Sequence, residues 1–334
     1  MPLRPRLPWC SAPSASSLSL WERVGVKVAA PPATASAERP SLTGRVPCHC
    51  VGRGRPAQRA PFPAPTQWRR RGLLGKLSAC VCAALLALAI AGAGEPWRYS
   101  VEDRRSGYTY LSEDNQRLQD DDFANPGLLW VERGHEVWQQ IDGSAGTSCA
   151  RCHGDAATSM RGVRTRYPRF DPQGGKLINL EQQINRCRAE HMHASSYPYE
   201  SDALLALTTF VAFQSRGLPI DVRIDGPAQP FFAAGQAFYE QRRGQLDLAC
   251  THCHERYAGQ RLRGDVISQG QINGFPIYRH TWQTLGSTHR MFAWCNTSVR
   301  AEPYPLGSDE YVNLELFVAW RGRGLPVETP AVRR

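Results

Sequence analysis

Cys149-Ala150-Arg151-Cys152-His153 and Cys250-Thr251-His252-Cys253-His254 are the two stretches on which the reading of this chain turns. Each sets two thiols three positions apart and follows them at once with an imidazole. Two thiols so spaced reach the two vinyl groups of one porphyrin and form thioethers. The adjoining histidine is then held beneath the iron as a proximal ligand. A zinc site could use the two C-x-x-C pairs, and disulfides or a redox dithiol could use the same thiols. None of these explains why histidine follows both pairs. The motifs predict two covalently bound heme c groups, one held through Cys149 and Cys152, the other through Cys250 and Cys253, with His153 and His254 as axial ligands.

Outward from the motifs the chain repeats itself. Gly134 lies 15 residues before Cys149, and Gly235 lies 15 before Cys250. Each glycine is read as the start of a short amphipathic segment, carrying Val137-Trp138 in one copy and Phe238-Tyr239 in the other. Downstream, Ser201-Asp202 to Ile220 aligns without gaps to Ser308-Asp309 to Val327. Each of these segments predicts a helix with serine as N-cap and aspartate in the first turn, where negative charge suits the helix dipole. Leu204, Leu207 and Val211 share one face. Gly217 and Gly324 stand where a helix ends, with Pro219 and Pro326 just beyond. The fold expected is mainly α: two tandem cytochrome c-like domains, residues 123–222 and 223–330, with long heme-enclosing loops.

Two further cysteines belong to the repeat. Cys187 lies 14 residues before Ser201, and Cys295 lies 13 before Ser308. Both fall between a heme motif and a final helix, the region that supplies the distal ligand in a cytochrome c. Equivalent placement favours Cys187 and Cys295 as distal iron ligands, where an anionic thiolate favours ferric iron and lowers the reduction potential. A Cys187–Cys295 disulfide, two buried apolar cysteines, or ligation by Met192, Met291, His191 or His193 remain open on the sequence.

The front of the chain reads differently. Of the 334 residues, residues 1 to about 67 are rich in Pro, Arg, Ser and Ala and show no sustained period; they read as a disordered leader or as sequence upstream of the true start codon. Residues 68–93 carry the pattern of a signal peptide: Trp68-Arg69-Arg70-Arg71 and Lys76, an apolar run from Leu77 to Ile90, and Ala91-Gly92-Ala93 as the cleavage site. The run is short for a membrane span, so a periplasmic protein without stable membrane insertion is expected. Cleavage near Ala93 discards Cys10, Cys48, Cys50, Cys80 and Cys82. Residues 94–122 form a polar extension without a motif. The formal charge of +10 is concentrated in the front, where residues 1–94 hold 13 Arg or Lys against Glu22 and Glu38. The remainder is near neutral and leaves no basic stripe for nucleic acid.

With the heme motifs, Ile184-Asn185-Arg186-Cys187-Arg188, Cys295-Asn296, and a tail running from Gly307-Ser308-Asp309-Glu310 to Arg323-Gly324-Leu325-Pro326-Val327-Glu328-Thr329-Pro330, residues 95–330 resemble the SoxA family. Its members are diheme subunits of the SoxAX cytochromes of bacterial sulfur oxidation. The resemblance implies an L-cysteine S-thiosulfotransferase, which joins thiosulfate to a cysteine of the SoxYZ carrier protein and releases two electrons. It implies that Cys295 is the catalytic thiolate, open to persulfide modification, and that a SoxX-type monoheme cytochrome c is bound as a heterodimer. An electron-accepting cytochrome c is the further partner implied. The family places a substrate arginine four residues before the catalytic cysteine, where this chain has Met291. A small dianion needs guanidinium, and Arg290 and then Arg321 are the candidates taken here. Competing readings are a thiosulfate dehydrogenase forming tetrathionate, a pure electron-transfer cytochrome, and a diheme peroxidase. A cysteine ligand on both irons disfavours the last.

Overall fold

The computed structural model describes residues 102–334; the leader, signal peptide and cleavage site expected from the sequence lie outside the described residues. The described chain is helix-rich. In order, α1 spans Glu113–Asp120, α2 Leu128–Gln139, α3 Cys149–His153 and α4 Ala156–Ser159. The hairpin of β1, Arg169–Asp171, and β2, Lys176–Ile178, leads into α5, Leu180–Cys187, and α6, Asp202–Phe213. Next come α7, Gln229–Glu240, and a short hairpin of β3, Arg261–Leu262, with β4, Asp265–Val266. The chain closes with β5, Ile277–Arg279, β6, Thr284–Gly286, α8, Thr288–Ser298, α9, Asp309–Arg321, and β7, Ala331–Arg333. Among the described residues no helix is long and apolar enough to cross a membrane.

The caps expected of the repeated helices are present. Ser201 accepts from the Leu204 amide at the start of α6, and Ser308 accepts from the Tyr311 amide at the start of α9. The expected single apolar face of α6 gives way to burial all round, from Leu204 to Ala212. Each of these helices is crossed by a glycine-bearing helix. Gly134 lies in the middle of α2, and a Cβ there would run into the Ala206 carbonyl and the Phe210 side chain of α6. Gly235 does the same in α7 against the Asn313 carbonyl and Phe317 of α9. The glycines therefore mark the crossing points of two helix pairs, not the helix starts read from sequence. A missing side chain lets backbones approach at a crossing.

The two copies meet about a local two-fold. Pro219 and Pro326 form an antiparallel bridge. Around it the Gly217 amide donates to the Val327 carbonyl while its counterpart, Gly324, donates to Ile220; the Ile220 amide donates to Leu325 while Val327 donates to Leu218. Gly217 and Gly324 adopt φ of 81° and 88°, which glycine alone takes readily. The N-terminal extension packs on the second copy. Gln269 accepts from the Arg105 amide and donates to the Asp103 carbonyl. Gln119 accepts from the Val332 amide and from Arg333. β7 lies parallel to β5, on the edge opposite β6.

Candidate active site

Both heme motifs sit in the same local frame. A tight turn closed by the Asp142–Thr147 bridge precedes α3, and one closed by Arg243–Leu248 precedes the second motif. Ser148 caps α3, putting Cys149, Cys152 and His153 on one short helix. In the second copy, Cys253 and His254 fall in the π-helical turn His252–Arg256. The His254 ring is fixed from behind, because its Nδ1 donates to the Ser268 carbonyl at 2.9 Å. That bond sets the tautomer and leaves Nε2 as a lone-pair donor for a metal. Gly270, with φ of 72°, gives the ring its room, since a Cβ there would overlap the imidazole. Burial lowers the pKa of both His254 and His153, so each is a neutral ring at neutral pH.

The later cysteines are sorted by copy. Cys187 ends α5 and acts electrostatically on Cys149, whose pKa burial pushes up to about 11. Gln183 donates to its sulfur at 3.3 Å. Cys295 lies on α8 beside Cys250 and Cys253; burial, then those two sulfurs, push it up to about 12. No disulfide joins any cysteines among the described residues. Thiols this hard to ionise in an apolar setting need a cation or a metal to hold them as anions. The donor set of each copy is the two thiols of a C-x-x-C pair, the imidazole that follows them, and one further cysteine; the ring is oriented by a backbone carbonyl in the second copy. It fits a covalently attached heme.

The two candidate arginines lie in different surroundings. Arg290 directs its guanidinium to the Leu285 carbonyl at 3.2 Å and to Glu200 at 3.6 Å, and stacks on Trp282. Arg321 is buried beside the second heme motif. It donates to the Gln269 carbonyl, lies 3.4 Å from Glu255, stacks on Tyr239, and acts on Cys250 and His254. Arg279 of β5, which the sequence reading missed, acts against the rise at Cys295 but does not outweigh burial and the neighbouring sulfurs. Its guanidinium is buried between the rings of Trp282 and Trp294, at 5.2 and 4.9 Å. One nitrogen lies 3.9 Å from the sulfur of Met291. The signal was available: residues 275–296 align without gaps to 167–188, hairpin on hairpin and cysteine on cysteine.

A family model described as SoxA/TsdA, cytochrome c domain, matches residues 133–220. The L-cysteine S-thiosulfotransferase subunit SoxA of Pseudaminobacter salicylatoxidans is 43% identical over 243 residues, covering 72% of this chain and 85% of that protein. The corresponding subunit from Rhodovulum sulfidophilum is 44% identical over 232 residues, covering 70% and 81%. The crystal structure of SoxXA from P. pantotrophus superimposes with a TM-score of 0.67 at 41% identity, covering 69% of this chain and 86% of that one. On identity sustained over most of both lengths, the chain belongs to the SoxA family of c-type cytochromes.

Proposed function

We propose that this chain is the catalytic subunit of an L-cysteine S-thiosulfotransferase, with two hemes c in two tandem cytochrome c-like domains, residues 123–222 and 223–330. Cys149 and Cys152 anchor one porphyrin, with His153 and Cys187 on its iron. Cys250 and Cys253 anchor the other, with His254 and Cys295. The observation that carries the reading is the placement of Cys295 on α8 beside Cys250 and Cys253, matched in the other copy by Cys187 beside Cys149. The L-cysteine S-thiosulfotransferase activity named for the relatives from P. salicylatoxidans and R. sulfidophilum supports the substrate.

The half-reaction joins a carrier thiol to thiosulfate: RSH + S2O3(2−) gives RS–SSO3(−) + H+ + 2 e−. When bound, the hemes accept those electrons one at a time. Cys295 supplies the sulfur at which the substrate is held, open to a persulfide state. His254 is held in one tautomer by Ser268. The SoxYZ carrier is the acceptor of thiosulfate, a SoxX-type monoheme cytochrome c is the bound partner, in line with the SoxXA neighbour, and another cytochrome c takes the electrons. The protein works in the periplasm after cleavage near Ala93.

The test is Cys295→Ala in the heme-loaded protein. Conjugation of thiosulfate to the carrier is expected to fall at least a thousandfold, and retention of the normal rate overturns the assignment. A second reading, thiosulfate dehydrogenase, draws on the domain description that pairs SoxA with TsdA. Formation of tetrathionate from thiosulfate without any carrier would favour it.

A further inference from the structure

The duplication makes one copy a control for the other, and the helices that carry the later cysteines begin differently. α5 opens with a closed capping box. Asn179 accepts from the Gln182 amide at 2.9 Å, and the Gln182 side chain accepts from the Asn179 amide at 3.1 Å. α8 opens the same way but leaves the box half made. Ser287 accepts from the Arg290 amide at 3.1 Å. Arg290 stands where α5 has Gln182, and a guanidinium has no acceptor to return to the Ser287 amide. That acceptor comes from the other copy. Glu200 takes the Ser287 amide on Oε1 at 3.2 Å and turns Oε2 toward Arg290 at 3.6 Å.

Glu200 does this from an unfavourable backbone. Tyr197-Pro198-Tyr199-Glu200-Ser201-Asp202 corresponds to Tyr304-Pro305-Leu306-Gly307-Ser308-Asp309. Both stretches make the same turn: the Ser201 amide donates to the Pro198 carbonyl and the Ser308 amide to the Pro305 carbonyl, each at 3.1 Å. At that turn Glu200 has φ of 61° and Gly307 has φ of 82°. Glycine takes that conformation readily; glutamate does not. Backbone strain persists where its surroundings hold it, and it gathers at working sites. The first copy keeps a carboxylate in a place that the second leaves to glycine.

The adjoining residue grips the same turn. The Tyr199 ring stacks on the His289 imidazole, with centroids 5.6 Å apart and planes 2° from parallel, and its hydroxyl donates to Asn179 at 3.1 Å. Its counterpart is Leu306. The second copy reaches back to α5 through the Gly307 carbonyl and Glu315, which accept from the Gln182 and Asn179 side chains. The box of α5 is already closed from within, whereas the box of α8 depends on its neighbour.

Taking the proposed function as its basis, we infer that Glu200 is a positioning residue for the reaction: the first copy completes the capping box of α8 from outside and so fixes the helix that presents Cys295. Cys295 lies eight residues beyond Ser287, about two helical turns. A helix that loses a cap loosens at its first turn, and the strain at Glu200 is the mark of a contact held for use. The first copy thus has a task at the second site that needs no electron to pass through its own heme.

The test uses the full heme-loaded chain, read by electron paramagnetic resonance, by amide hydrogen exchange, and by KM and kcat for conjugation. Glu200→Gly removes the carboxylate and gives the turn the residue that its counterpart carries, so the turn itself is kept. The low-spin ferric signal that Cys295→Ala abolishes is expected to shift in Glu200→Gly, with the signal of the other heme unmoved. Exchange of the Ser287 and Arg290 amides should quicken at least tenfold. kcat should fall at least fivefold, with KM for thiosulfate within twofold of the parent. Glu200→Gln keeps an acceptor for the Ser287 amide and should restore signal, exchange and kcat to within twofold. The control, Arg223→Gln on the exposed Arg223–Asp225 pair, should match the parent throughout. An unshifted signal or a parental kcat in Glu200→Gly overturns the inference. A Glu200→Gln as impaired as Glu200→Gly, or equal shifts in both heme signals, overturns it too. A dead Cys295→Ala with a parental Glu200→Gly sinks only this inference; an active Cys295→Ala sinks the proposed function instead.

Discussion

His254 and Ser268 are joined by a side-chain to backbone hydrogen bond of 2.9 Å, so the orientation of the ring is written into the main chain and not into a second side chain. The space for that bond comes from Gly270. Gly270→Ala is expected to push the imidazole off its carbonyl while thioether attachment at Cys250 and Cys253 persists. Mass spectrometry should show the full heme load, and electron paramagnetic resonance should show one low-spin ferric signal lost or shifted. Two unaltered signals would contradict this account.

The helix crossings predict a matched pair of losses. Gly134→Ala and Gly235→Ala each place a methyl group on a carbonyl across the interface. Each is expected to destabilise by about 2–3 kcal/mol, the upper range for overpacking, in denaturant titrations of the heme-loaded protein. Gly146→Ala meets open space but has φ of 57°, and should cost less, about 1 kcal/mol.

Where the copies face one another, a buried acidic cluster gives a pH signature. Burial raises Glu181 to about 7, helped by Glu315. Burial acts on Glu315 too, but His289, with Nε2 3.1 Å away, outweighs it and holds that carboxyl below its usual value. Glu181 thus binds its proton more tightly in the folded state than in the unfolded one. Its contribution is fully present below about pH 4.5 and is lost as pH rises through about 7. Glu181→Gln should be stabilised by roughly 1–3 kcal/mol relative to the parent at pH 8 and change little at pH 4.5. Thermal unfolding across that range checks it; equal effects at both ends would refute the assignment.

Just beyond the extension, a second side chain joins Gln119 in holding the tail. Asn125 is buried, donates to the Pro330 and Gln119 carbonyls at 3.0 and 3.2 Å, and accepts from the Gly127 amide at 2.9 Å. Asn125→Ala is expected to cost about 2–3 kcal/mol, because buried backbone groups lose their partner. Proteolysis at the N-terminal side of α2 should quicken in parallel.

What the sequence disclosed was local or repeated. C-x-x-C-H states its own chemistry, and the serine caps of α6 and α9 are readable because a cap acts within three residues. Gly134 was legible as special but not for the right reason: a helix breaker and a crossing point look alike until the partner helix is placed. Arg279 was hidden because it lies 16 residues before Cys295 and is returned to it by the β5–β6 hairpin. The pairing of Gln119 with β7 spans more than 200 residues, and no spacing rule reaches that far. Glu181, His289 and Glu315 look like ordinary surface residues in a one-dimensional reading; only packing reveals them as interior.

The bridge at Pro219 and Pro326 has an evolutionary and a practical side. Each tail finishes the other, so the ancestral single unit, if it used the same surface, was already suited to associate with a copy of itself. Fusion then freed the two heme-bearing units to diverge while keeping them in register. By the same logic, residues 123–222 expressed alone would present an unsatisfied strand edge at Leu218 and Ile220, and should pair with themselves in solution as a symmetric dimer.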